Sequence, residues 1–182
     1  MALKRTDSYL EDSLSLLRYY KQLAERAIER VTDAQLTAVL DREMNSIALI
    51  AKHMAGNMRS RFADFLTSDG EKPGRNRDAE FEDPPVTREA LVRTWNAGWE
   101  QLFGAIEPLT QSDLIRTITI RGEPHSVMQA INRQLAHYSY HCGQIVFLAK
   151  HLQSEGWQSL SVPRKQSDAF NNAVLKGEKS QR

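Results

Sequence analysis

Four stretches of this chain repeat their apolar residues at three- and four-residue steps, the period that gathers a stripe on one side of an α-helix. In residues 6–31 the stripe is Leu10, Leu17, Ala24 and Val31, reaching back to Leu3, with Leu14 and Ile28 between and Lys21 interrupting it. Residues 45–66 carry Ile47, Ile50, Met54, Met58 and Phe65, and Asn45 or Ser46 stands where an N-cap is needed. Residues 87–107 begin at a capping Thr87, carry Leu91, Trp95, Trp99, Leu102 and Ile106, and stop before Pro108. The fourth stretch opens at Ser126 with Gln129 three residues on, a capping box, and runs to about Leu152. Each stripe is narrow, as on the inner face of a bundle helix. The expected fold class is all-α, a four-helix bundle, as a single domain over residues 1–182.

The connections constrain the order of the helices. Residues 67–86 have no period, and Gly70, Pro73, Gly74, Pro84 and Pro85 argue against regular structure there. A loop of that length reaches at most roughly 66 Å, whereas a helix of about 21 residues is about 32 Å long. The loop can therefore return the chain along the whole bundle and let the second and third helices run parallel. Asp33 to Leu36 reads as one short helical turn. Residues 114–123 are β-branched and alternating, a small strand or hairpin arm turning at Gly122. A short helix is expected from Ser167 to Leu175, with Phe170 and Val174 as its contacts, and disorder over 176–182.

Composition excludes several classes. The net charge of +1 supplies no field for nucleic acid or an anionic membrane surface. No run approaches the roughly 20 apolar residues of a membrane span. The N-terminus shows no apolar signal-peptide segment. One cysteine, Cys142, leaves no partner for a disulfide. A cytoplasmic location is expected.

The chemistry gathers on histidines. His137 and His141 stand one turn apart on the stripe Ala130, Gln134, His137, His141, Ile145, Leu148, Leu152. That stripe is mostly apolar and faces inward, and an unsatisfied buried polar group costs about 1–3 kcal/mol. A divalent metal would satisfy both rings. The alternative is a pair of core histidines bonded to backbone carbonyls or to Tyr138 and Tyr140. His53 lies mid-helix on a second stripe, Ser46, Leu49, His53, Gly56, Asn57, Ser60, which is greasy in its first half and small and polar in its second. Such a face lines a cavity or a close approach, because Gly56 costs its helix about 1 kcal/mol relative to alanine. With the second and fourth helices antiparallel, His53 comes level with His137 and His141. Three imidazoles on two helices make an open, catalytic type of metal site. Asn57 and Gln144 are each about one turn from a ligand, placed either to hydrogen-bond and orient a metal-binding ring or to hydrogen-bond a substrate. Arg75 and Arg77 either are solvated or bind an anionic group at the mouth. His125 and His151 read as surface residues. Cys142 is turned about 100° from His141 around the helix and reads as a small buried residue.

Lys52-His53-Met54-Ala55-Gly56-Asn57, together with His137-x-x-x-His141-x-Gly143-Gln144-Ile145, resembles the DinB/YfiT-like metalloenzyme superfamily. The run from Asn45 to Glu80 is most similar to its DUF1572-type subfamily. The resemblance covers about residues 5–175. It implies a bundle in up-down-down-up order, a metal on His53, His137 and His141, zinc or nickel as that metal, and a homodimer. Characterised relatives are S-transferases using low-molecular-weight thiols such as bacillithiol or mycothiol, or similar metal-dependent enzymes.

The expectation is a metal-dependent enzyme in which a thiol or water attacks a small electrophile, with no nucleic-acid or membrane partner. The competing expectation is a dimeric bundle that holds a metal or ligand without catalysis, in a stress-response role. An open path from solvent to the three rings separates the two.

Overall fold

The structure is a computed structural model and describes residues 5–180. It is mostly helical: six α-helices and one two-stranded sheet stand among the described residues. Helix α1 is Tyr9–Ile28, α2 is Asp33–Leu36, α3 is Ile47–Phe62, α4 is Arg88–Ile106, α5 is Val127–Gln153 and α6 is Ser167–Leu175. Strands β1 (Thr117–Ile120) and β2 (Glu123–Ser126) form an antiparallel hairpin with Ile120 opposite Glu123.

Side-chain caps set most helix starts. Ser8, Ser46 and Thr87 each accept a backbone N–H from three residues on, and Thr32 and Ser126 complete capping boxes with Gln35 and Gln129. Each cap stabilises its helix by about 1 kcal/mol. Ser8 also explains why α1 begins at Tyr9 and not near residue 6: a capping residue is extended, so Thr6 and Asp7 stand outside the helix. Leu3 of the expected stripe and residues 181–182 of the tail lie outside the described residues. α3 stops at Phe62, four residues before the expected end, because Ala63 is extended and Asp64 turns left-handed at φ 46°. Phe65 still reaches the core, its ring 5.1 Å from that of Phe62.

The core is built by the expected stripes. Leu17, Ala24 and Ile28 of α1, Met54 and Met58 of α3, Trp95 and Trp99 of α4, and Ile145 and Leu148 of α5 are all buried. Gly98 lets α4 approach α3: a Cβ there would stand 2.7 Å from Ala55 Cα. Farther along the same pair, Gln101 Nε2 donates to Phe62 O at 3.1 Å. Helices α1 and α5 meet where Tyr9 Oη donates to Asn132 Oδ1 at 2.8 Å. Helices α1 and α4 meet at Arg18 and Glu107, and again where Trp95 Nε1 donates to Glu25 Oε1. Tyr138 Oη of α5 donates to Asn57 Oδ1 of α3 at 2.8 Å, between fully buried surfaces.

The long connection between α3 and α4 is irregular except for a 3-10 turn at Asp78–Phe81. It is pinned at both ends. At its start, Gly70 N donates to Thr119 O of β1 at 2.8 Å. Asp69 accepts the N–H groups of Arg121 and Gly122, both at 2.8 Å. Those two residues form the hairpin turn, both at positive φ, as a two-residue hairpin loop requires. At the far end, Lys52 Nζ donates to the carbonyls of Ala79, Glu82 and Asp83. The loop thus lies along the small polar face of α3 and covers it, with Ser60 Oγ donating to Gly70 O. At the chain's other end, α6 closes with Gly177 at φ 74° and Glu178 N donating to Ala173 O.

Candidate metal centre

His53 of α3 and His137 and His141 of α5 meet at one point, their ligand nitrogens all within 4.8 Å of one another. Two long helices supply them, and the Asn57–Tyr138 bond one turn away holds those helices in contact. His137 Nε2 and His141 Nε2 are 3.2 Å apart.

Each ring has its other nitrogen facing an oxygen. His53 Nδ1 donates to Glu80 Oε2 at 2.8 Å, His141 Nδ1 to Gln144 Oε1 at 2.8 Å, and His137 Nδ1 faces Gln134 Oε1 at 3.4 Å. A carboxylate oxygen only accepts, so Nδ1 of His53 carries a proton, and in the neutral ring Nε2 is then the atom with the lone pair. The same assignment at the other two rings leaves three lone pairs converging. Burial is the main reason the two α5 histidines resist protonation. It pushes His137 down to about 3, helped by the His141 and His53 charges, and His141 down to about 4. Neutral, lone-pair-bearing imidazoles are the form that binds a metal.

The residues present fit a divalent ion. With zinc–nitrogen bonds of about 2.0–2.1 Å, tetrahedral neighbours stand about 3.3 Å apart, close to the 3.2 Å between the α5 rings. The same 3.2 Å would also be spanned by one proton shared between the two Nε2 atoms, and a divalent ion takes the place of that proton. The Nδ1–H contacts to carboxylate and amide oxygens are the outer-shell arrangement that orients metal-binding histidines. Among the described residues, no other group of three or more His, Cys, Asp or Glu side chains is placed to hold an ion.

All three rings line a cavity of about 600 Å³ that opens outward and also meets Asn57, Arg77, Tyr140 and Gln144. Asn57 is buried, its Oδ1 engaged by Tyr138. Arg77 is exposed, with its guanidinium 5.0 Å from the centre of the Phe81 ring. Arg75 is neither solvated nor free. Its side chain is 5% exposed and grips Glu80 through two bonds, Nε to Oε1 at 2.7 Å and Nη2 to Oε2 at 2.8 Å. The anion Arg75 binds belongs to the protein itself. His125 is partly covered and bonded to Glu123 O, and His151 is exposed. Cys142 is fully buried, and burial pushes its thiol up to about 12, which removes it as a nucleophile.

Glu80 was not foreseen from sequence. Burial alone would raise its pKa, but hydrogen bonds from His53 and Arg75 hold it below the ordinary carboxylate range. The signal for it was Gly56. A Cβ on that residue would come within 2.5 Å of Glu80 Oε1, so the glycine in mid-helix is the seat of the carboxylate. Phe81, next to Glu80, stacks on His53 with ring centres 4.6 Å apart. The aperiodic segment therefore builds one wall of the centre.

Residues 4–166 match the family described as Protein of unknown function (DUF1572). That span is most of the 182 residues, and the chain belongs to this family. No curated protein and no solved structure matches the chain.

Proposed function

We propose that the protein is a metal-dependent enzyme of the DinB/YfiT-like type, with zinc or nickel held by His53, His137 and His141. The observation that carries this reading is the open cavity of about 600 Å³ reaching all three rings while their Nδ1 atoms face protein oxygens. A purely structural ion is closed off by a fourth ligand or by packed side chains.

The helix contacts support an up-down-down-up four-helix bundle. Contacts advance together along α3 and α4, from Ala55 with Gly98 to Phe62 with Gln101. They run oppositely along α1 and α4, from Arg18 with Glu107 to Glu25 with Trp95. Across α3 and α5, His53 lies beside His141 (ring centres 5.0 Å apart) and Asn57 beside Tyr138. That is the antiparallel order which brings the three histidines level.

A divalent ion at such a site lowers the pKa of a coordinated water or thiol into the neutral range. The chain's own residues do the rest. Glu80, itself clamped by Arg75, fixes the His53 ring and its tautomer. Gln144 does the same for His141. Asn57, with its oxygen held by Tyr138, has its amide N–H groups left for a substrate. The nucleophile is a low-molecular-weight thiol or water, the partner a small electrophile, and the assembly a homodimer, as in the superfamily the motifs resemble.

Elemental analysis of protein purified without a metal-affinity column tests the first step. About one zinc or nickel per chain is expected, lost in His53→Ala. No metal in the wild type, with His53→Ala leaving stability unchanged, would sink the reading. Thiol transfer to a model electrophile, or hydrolysis of a substrate panel, should be present in wild type and absent in His141→Ala.

A further inference from the structure

Five arginines line the cavity above the histidines: Arg61, Arg75, Arg77, Arg121 and Arg133, with no aspartate or glutamate among the lining residues. Three of them are committed. Arg61 and Arg121 bond Glu71 at 3.1 and 2.9 Å, and Arg75 holds Glu80. Two carboxylates thus answer five guanidinium groups, and three positive charges are left over. The whole chain carries only +1, so this excess is local to the cavity and not a property of the surface at large.

Arg77 and Arg133 are the two without a carboxylate. Arg77 rests over Phe81, the ring that stacks on His53. Arg133 sits one turn before His137 on α5 and is exposed, and among the described residues its side chain makes no hydrogen bond or ion pair. It lines the same cavity as the three rings. The two residues come from different elements around one cavity, the loop and α5.

We propose that the substrate of this site is a small oxyanion, a carboxylate- or phosphate-bearing molecule, gripped at the mouth by Arg77 and Arg133. A guanidinium fork matches either group through paired N–H bonds. A cavity of about 600 Å³ suits a small molecule and not a polyanionic strand. Treating this anion as the substrate rests on the metal-centre proposal; the anion site itself stands on the arginines.

The test is calorimetric titration of malonate, inorganic phosphate and neutral malonamide into zinc-loaded and chelator-treated protein, for wild type, Arg77→Gln, Arg133→Gln and the double variant. Both arginines are exposed, so these replacements spare the core. Malonate or phosphate should bind and malonamide should not, and the anion that binds identifies the group. Each replacement should weaken binding about tenfold, the scale of one charge-assisted bond, with zinc content unchanged. Undiminished affinity in the double variant, or no binding of either anion by zinc-retaining wild type, overturns the inference and leaves the metal reading intact. Anion binding by a wild type that takes up no zinc supports the oxyanion site and overturns the metal reading.

Discussion

Glu80 Oε2 stands 2.8 Å from His53 Nδ1, and the same carboxylate is forked by Arg75. A loop residue therefore orients a helix residue, and a second loop residue orients the first. His53 and Glu80 are separated by 27 positions and joined only by the fold.

Replacing Glu80 by Gln keeps its shape and removes its charge. Metal affinity, read by competition with a chelator, should fall about 10–100-fold. Glu80→Ala should also destabilise the fold by about 1–3 kcal/mol, because it removes the two shortest bonds of the buried Arg75 side chain and leaves it only the 3.3 Å pair with Glu71. Unchanged metal affinity in both variants would mean that Glu80 has no part in the site.

Gly56→Ala and Gly98→Ala should separate site from scaffold. At Gly56 the new methyl displaces the tip of Glu80 while improving helix propensity. Thermal stability should change little and metal affinity should drop. At Gly98 the methyl meets Ala55 backbone, which cannot move without parting α3 from α4. Stability should fall by about 1–3 kcal/mol. Equal effects of the two replacements on metal affinity and on melting would contradict this division.

The metal-free protein should lose stability as pH falls from about 7 to 5. His137 and His141 are pushed down to about 3 and about 4 in the fold, against 6.5 in the open chain. Below 6.5 the unfolded chain takes up protons that the folded one refuses, so unfolding becomes easier as pH drops. The depressed carboxylates, Glu80 and Glu71 among them, keep their contribution above their open-chain value of 4.5 and lose it only as pH falls below that, outside this window. Urea midpoints in the presence of a chelator should slope with pH between 7 and 5, and the double change His137→Asn, His141→Asn should flatten that slope.

Tyr138→Phe removes the hydroxyl that donates to Asn57 Oδ1 between two buried helices. The orphaned oxygen should cost about 1–3 kcal/mol of stability in chemical denaturation. Metal content should stay as in wild type, since neither atom is a ligand; its loss would show that the α3–α5 spacing depends on this one bond.

Periodicity and capping chemistry made the helices legible. The capping box Ser126–Gln129, the short turn Asp33–Leu36 and the late helix Ser167–Leu175 all stand where the pattern put them. Local signals sufficed because each is a contact between residues three or four apart. The same spacing placed His137 and His141 on one face, and the polarity of the α3 stripe put His53 on an inner face. The end of α3 at Phe62 is not legible in the sequence, because a left-handed Asp64 has no strong sequence mark.

What only the tertiary structure decided is the wall opposite the rings. Residues 67–86 carry no period, and nothing in their order tells Glu80, buried against His53, from Glu82, nor the buried Arg75 side chain from the exposed Arg77. Those assignments follow from the loop being pinned to the hairpin at Asp69 and Gly70 and to Lys52 near its far end. Between those anchors one carboxylate fits the space that Gly56 leaves open. A helix states its inward face every third or fourth residue, whereas an irregular segment acquires one only from the surface it lies on.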